Sequence, residues 1–378
     1  MEENQLSTLS PADLGFSVKE PIRKTEQEIM PERISKINRP TGYDIYPYFS
    51  LAKNLIFSGY ESLCDYIVEN KTVVIDGYVG IYWKKLAEEI EKELSSRNIR
   101  VNMLYAASFM KAEKDIDELV KPFLGAADSV WGKLADLSLS DFFEDRKLLD
   151  LEIDTSADVN LLIGCGAALS NWNASVVYVD LPKNELQHRM NAGSICNLGV
   201  FNSASQIEMY KRFYFVDWVV LNAHKKDIAL RIDVFVDGQF EHDINWASGN
   251  EVRKGLERMA TSVFRVRPWF AAGAWGGQWL KKHMPQLDPN EVNYAWSFEL
   301  IAPENGIVLE SGGLLLEISF DLLMFTEGNK VLGVHSAKFG DEFPIRFDFI
   351  DTFDGCNLSI QCHPRLKYIQ DVFGERIT

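Results

Sequence analysis

Residues 71–80 read KTVVIDGYVG and run without a break into IYWKKLAEEIEKELSSR. A β-branched apolar run that stops at two glycines, followed by Leu86, Ile90 and Leu94 at four-residue steps, predicts strand, tight turn and amphipathic helix. IRVNMLYAASF, DVNLLIGCGAAL and ASVVYVDLP supply further strands, the last leading into a helix at KNELQHRMNAG, and RIDVFVDGQ closes the series. KAEKDIDELVKPF and SLSDFFEDRK read as charged, mostly helical stretches. Strands that alternate with helices argue for a mostly parallel sheet covered on both faces.

The flanks have a different texture. Residues 1 to about 40 are polar, with Pro11, Pro21, Pro31 and Pro40 at intervals, and read as an extended arm. The segment EHDINWASGNEVRKGLERMATS is polar and reads as a connector or the start of a new unit. From residue 262 on, RPWFAAGAWGGQWLKKHMP, WSFELIAPENGIVLESGG, LLLEISFDLLMF, FPIRFDFIDTF and NLSIQCHP are short apolar or alternating runs broken by glycine and proline. That pattern predicts antiparallel β structure. The expected division is an arm over 1–59, an α/β domain over 60–250 and a β domain over 262–378, within reach of a 378-residue chain.

Charge narrows the partners. Lys and Arg total 39 against 55 Asp and Glu, a formal charge of −16, which repels a phosphate backbone and argues against nucleic acid. No run of eighteen apolar residues occurs, and the N-terminus lacks the basic start and apolar core of a signal peptide; no membrane partner and a cytoplasmic location are expected. Five scattered cysteines without a CxxC pair indicate free thiols rather than a disulfide framework or a zinc finger.

Asp76-Gly77-Tyr78-Val79-Gly80 sits between strand and helix, where a helix N-terminus favours anions. Gly77 and Gly80 are the candidate cofactor-binding residues, with Asp76, Asp180 and Arg189 beside them. A working phosphate loop needs GxxxxGK[ST], and here Tyr82-Trp83-Lys84 stands in place of Gly-Lys-Ser/Thr. In strand pattern and in VVIDGYVGIYWKKLAEEIEKEL the domain resembles the P-loop kinases of the uridine kinase and phosphoribulokinase type. The resemblance implies a degenerate kinase fold in which Tyr82 and Trp83 fill the space of the phosphates, with a nucleotide as a possible ligand.

The C-terminal stretch carries Trp275-Gly276-Gly277, Ser297-Phe298-Glu299-Leu300, Phe343-Pro344 with Phe349-Ile350-Asp351, and Leu358-Ser359-Ile360-Gln361-Cys362-His363-Pro364. In order and spacing these resemble the WGG, ESWEL, FPLLIKFLDA and LSVQVHP motifs of type I mannose-6-phosphate isomerases. Alternation in SIQCHP places Gln361 and His363 on one face of an expected buried strand, and the resemblance makes both of them zinc ligands. It also implies a cupin-like jelly roll and zinc-assisted proton transfer between C1 and C2 of mannose 6-phosphate and fructose 6-phosphate. Asp348 replaces the family's lysine and Arg365 its acidic residue after HP. The family's remaining ligands, a Glu and a second His, fall beyond residue 378, so the jelly roll is expected to be incomplete and the isolated chain inactive.

The fold class expected is therefore α/β plus β: a P-loop kinase-like three-layer α/β domain followed by an incomplete cupin-like jelly roll. The function expected is sugar-phosphate aldose–ketose isomerisation. The alternatives are a non-catalytic sugar-phosphate or nucleotide binder and a nucleoside or sugar kinase-like phosphotransferase. A homodimer, or pairing with the N-terminal arm, would close the open β edge.

Overall fold

The computed structural model describes residues 22–25, 27–37, 42–126, 129, 131–358, 360 and 362–377. The chain passes through strands β1 (Phe49–Ser50) and β2 (Ile56–Ser58), helix α1 (Tyr60–Asn70), β3 (Thr72–Gly77), α2 (Trp83–Ser96) and β4 (Val101–Tyr105). It continues through α3 (Glu113–Val120), β5 (Val159–Ile163), β6 (Ser175–Asp180), α4 (Lys183–Ala192), α5 (Gln206–Arg212) and α6 (Trp218–Ile228). β7 (Val234–Asp237), β8 (Asn245–Ser248) and α7 (Gly249–Met259) follow.

These strands form a seven-stranded sheet in the order β2-β8-β7-β6-β3-β5-β4. The five from β7 to β4 are parallel, while β8 is antiparallel to β7 and β2 antiparallel to β8. β3 and β5 are apolar along their length because helices cover both faces; Val73, Val74, Ile75, Leu161 and Leu162 are all buried. α2 turns Leu86, Ala87, Ile90 and Leu94 to the sheet, the stripe its four-residue steps predict. The polar segment read as a connector or the start of a new unit forms β8, a strand of this same sheet, and α7. Ser248 caps α7 by accepting from Glu251 N, and β8 extends the sheet antiparallel between β7 and the edge strand β2.

The remaining elements are β9 (Trp269–Ala271), α8 (Trp279–His283), β10 (Trp296–Ile301), β11 (Gly306–Ser311) and β12 (Leu314–Ser319), then α9 (Phe320–Leu332), α10 (Ser336–Phe339), β13 (Arg346–Ile350) and α11 (Leu366–Phe373). β11 lies between β12 and β1, and β10 lies between β9 and β13. The protein is thus mixed α/β with several sheets. LLLEISFDLLMF, expected as β structure throughout, is a strand only to Ser319 and a helix from Phe320. Its last six residues bury Phe320, Leu322, Leu323 and Met324, a spacing too dense for one face of a strand.

Residues 306–324 share the main apolar core: Ile307, Leu309, Leu316, Ile318 and Phe320 pack with Val74, Val177 and Val236. The described part of the arm is tied to both regions, by an Arg33–Leu314 bridge and by Arg23 on Glu185 at 2.8 Å. Residues 360 and 362–365 are irregular and lead into α11, which corrects the expected strand for the described part of SIQCHP; Ser359 and Gln361 lie outside the described residues. Among the described residues no helix is long and apolar enough to cross a membrane.

Candidate functional site

Three neighbouring parallel strands carry an aspartate at their carboxyl ends. Asp76 is the last residue but one of β3, Asp180 closes β6 and Asp237 closes β7, and all are fully buried. Asp76 Oδ1 accepts from Gly77 N at 2.6 Å and Gly166 N at 2.9 Å. Its Oδ2 accepts from Ala168 N at 2.9 Å and lies 2.7 Å from His224 Nε2. Four contacts occupy a carboxylate's usual capacity, so Asp76 joins β3, the turn after β5 and α6 and has nothing left for a metal or substrate.

The glycine turn is closed by its own surroundings. A Cβ on Gly77 would stand 2.3 Å from the Val179 carbonyl oxygen and 2.9 Å from the Trp83 ring. Gly80 has φ 88, a left-handed backbone that favours glycine. Tyr78 N donates to Val179 O at 3.2 Å and Trp83 N to Ile81 O at 3.0 Å. Arg189, buried and paired with Glu185, donates to Gly80 O at 2.8 Å and to the carbonyls of Gly238 and Gln239. Its guanidinium lies 4.4 Å from the centroid of the Tyr82 ring. The structure thus brings Asp76, Gly77, Gly80 and Arg189 to one end of the sheet, where Asp76 and Arg189 fasten the turn from either side.

Beside the turn a cavity of about 290 Å³ opens over the carboxyl ends of β3, β5 and β4. Trp83, Tyr105, Met110, Leu198 and Phe201 give it an apolar lining, with Lys111 and Asn197 as polar groups. Ligands of open parallel sheets bind at this end, where successive connections leave to opposite faces. Cys165 also lines the cavity; burial, with Asp76 nearby, pushes its thiol well above the ordinary range and leaves it a poor nucleophile.

Asp180 and Asp237 are covered by β12. Ser319 N and Oγ each donate to Asp180 Oδ2 at 2.7 Å, and Lys225 Nζ donates to Oδ1 at 2.9 Å. Burial alone would raise the Asp180 carboxyl, but Lys225 and Ser319 bring it below its ordinary value. Asp237 accepts from Gln239 N and Glu317 N, and Arg267 Nε donates to both Glu317 carboxylate oxygens, at 2.8 and 2.7 Å. Burial, reinforced by the Glu317 charge, pushes Asp237 up to about 7.

Residues 59–261 match the family model described as Domain of unknown function (DUF8485), more than half of the 378 residues. The chain belongs to the DUF8485 family. No curated protein sequence matches it. The DUF8485 region holds all three strand-end aspartates, the glycine turn and the cavity, whereas Glu317, Ser319 and Asp321 lie beyond it. Spacing within the DUF8485 region did not single out His224, Lys183, Lys225 or Asp237. The available signal was the recurrence of VVID, VYVD and VFVD, three apolar runs each ending in the same acid.

Beyond the DUF8485 region, three of the four C-terminal motifs, at Trp275–Gly277, Ser297–Leu300 and Phe349–Asp351, meet at one small sheet. Trp296–Ile301 pairs with Trp269–Ala271 and with Arg346–Ile350, the rings of Trp275 and Trp296 lie 4.8 Å apart, and Gly277 N donates to Asp351 O at 2.8 Å. Glu299 contacts Tyr43 and Ser297. Of the two expected metal ligands, Gln361 lies outside the described residues and His363 is exposed on irregular backbone. Among the described residues no three His, Cys, Asp or Glu side chains gather as a metal site needs. Those residues do not by themselves fit a zinc centre.

Proposed function

We propose that the chain is a non-catalytic binding protein for a nucleoside or nucleotide, built on a P-loop kinase-like α/β layout whose phosphate turn is closed. The cavity beside that turn carries the reading: its apolar and aromatic walls over β3, β4 and β5 suit a planar ring, and Lys111 offers one cation. Phosphoryl transfer needs free turn amides, a lysine on the phosphates and a hydroxyl on magnesium. Here Gly77 N and Tyr78 N are bonded within the protein, Arg189 holds Gly80 O, and Trp83 follows the turn. Titration of Trp83 fluorescence with adenosine, uridine, their monophosphates and ATP tests the reading. Quenching by nucleosides without ATP turnover is expected; magnesium-dependent ATP hydrolysis, or no response at millimolar ligand, overturns it.

The second reading, a mannose-6-phosphate isomerase-type enzyme using zinc on Gln361 and His363, draws support from the convergence of Trp275-Gly276-Gly277, Ser297–Leu300 and Asp351 on one sheet. Elemental analysis together with conversion of mannose 6-phosphate decides it. Stoichiometric zinc and turnover abolished by His363→Ala support the isomerase, and metal-free protein without turnover removes it.

A further inference from the structure

Where α4, α6 and α9 meet, a second cavity of about 440 Å³ is lined by Lys183, Trp218, Asn222, Phe320, Asp321 and Phe343, among others. Lys183 is 1% exposed, and its Nζ donates to Asp321 Oδ2 at 2.6 Å. Lys225 Nζ lies 3.9 Å from the same oxygen. The two ammonium groups sit 5.0 and 4.7 Å from the centroid of one ring, that of Tyr78. Asp180 and Asp321 balance the two positive charges, but the hydrogen bonds do not balance. Asp321 is 7% exposed and its Oδ1 has no hydrogen-bond partner, whereas a purely structural buried ion pair is expected to satisfy its remaining lone pairs.

A buried amine beside a second cation, at the wall of a cavity, is the arrangement that makes lysine a nucleophile towards carbonyl carbon. Burial lowers the Lys183 ammonium below its ordinary pKa; Asp321 offsets part of that and Lys225 adds to it. We propose that Lys183 forms an imine with a small aldehyde or ketone admitted to this cavity, and that Asp321 is its proton-transfer partner. Asp321 takes a proton from the ammonium, and the freed nitrogen pair bonds to the carbonyl carbon while the carbonyl π pair moves to oxygen. Asp321 gives that proton to the oxygen and then carries a second one from the carbinolamine nitrogen to the hydroxyl; the nitrogen pair so freed forms the C=N bond as the C–O bond breaks and water leaves, so that ammonium plus carbonyl compound becomes iminium plus water. Asp321 Oδ1 is the acceptor still available for the hydroxyl of the carbinolamine. Arg346 and Arg376 line the same cavity together with Asp341, Glu342 and Glu375, so a carbonyl compound bearing a carboxylate would share Arg346 with Glu342, which lies 3.9 Å from it. This site is separate from the nucleoside cavity, and neither reading depends on the other.

Pyruvate is the probe. The full chain is incubated with pyruvate and cyanoborohydride, which reduces an imine to a stable secondary amine, and the modified lysines are mapped by peptide mass spectrometry. Labelling of Lys183 at least tenfold faster than the exposed lysines of the same molecule is expected. Asp321→Asn should slow labelling of Lys183 several-fold and leave the exposed lysines unchanged, with circular dichroism confirming that the variant is folded. The wild-type map stands alone if the variant does not fold. Label confined to exposed lysines, or reaching Lys183 only in denaturant, overturns the proposal.

Discussion

Asp76 Oδ2 lies 2.7 Å from His224 Nε2, and this contact links residues 148 apart in sequence at the centre of the sheet. With three backbone amides on the same carboxylate, Asp76 is a structural knot rather than a catalytic acid. Asp76→Ala strands those amides without an acceptor and is expected to cost about 3–5 kcal/mol. His224→Gln removes one contact and should cost about 1–2 kcal/mol. Urea unfolding of both variants reads the difference, and equal, small losses would contradict the knot.

Closure of the turn makes its glycines sensitive to added atoms. Gly77→Ala drives a Cβ to 2.3 Å from backbone oxygen, an overpacking expected to cost about 1–3 kcal/mol or more. Gly80→Ala brings a Cβ to 3.3 Å from the Leu181 side chain, a tight contact with side-chain rather than backbone atoms, so its cost is that small shift plus the positive φ, about 1–2 kcal/mol. Thermal midpoints should therefore fall further for Gly77→Ala; the reverse order would mean that the turn is held differently.

Asp237 gives stability a pH dependence of definite sign. Its folded pKa is raised to about 7 by burial and by Glu317, above the value of an unfolded aspartate. The native state therefore holds the extra proton between about pH 4 and 7. Stability contributed by that proton is present at the low end of this window and lost as pH rises through it. Asp237→Asn removes the term, so wild type should lose a few kcal/mol relative to the variant between about pH 4 and 7 and stay level above that. A difference that is flat with pH would place the charge elsewhere.

Thiol reactivity should divide the cysteines. Cys356 and Cys362 are exposed, and Cys64 and Cys196 are buried. Burial pushes the Cys64 thiol up to about 12 and Cys165 higher still. Iodoacetamide at pH 8 should modify Cys356 and Cys362 rapidly and the other three only on unfolding. Rapid modification of Cys165 in the native protein would show that the cavity beside the turn admits the reagent and that the thiol ionises there.

Local pattern made the repeating strand and helix units legible. Val73–Ile75 and Leu161–Leu162 are apolar on both faces because they lie inside a sheet, and the spacing of Leu86, Ile90 and Leu94 is a helix face whatever surrounds it. The turn at Gly77–Gly80 was legible for the same reason, since backbone conformation there depends on the glycines themselves. Two local readings failed where long-range pairing intervened. NWAS looks polar yet becomes a strand because β7 and β2 offer it edges, and FDLLMF alternates weakly yet becomes a helix because the core takes several of its faces.

Strand order, and the partners of each strand-end aspartate, belonged to the tertiary structure alone. His224 reaches Asp76, Ser319 reaches Asp180 and Glu317 reaches Asp237 across 148, 139 and 80 residues. Spacing along a chain carries no record of such meetings. Sequence set which segments could be strands, helices and tight turns, because those preferences act within a few residues. Whether an aspartate would be a catalytic acid, a knot or half of a buried ion pair was decided by desolvation and by hydrogen bonds from distant elements, which exist only once the chain has folded.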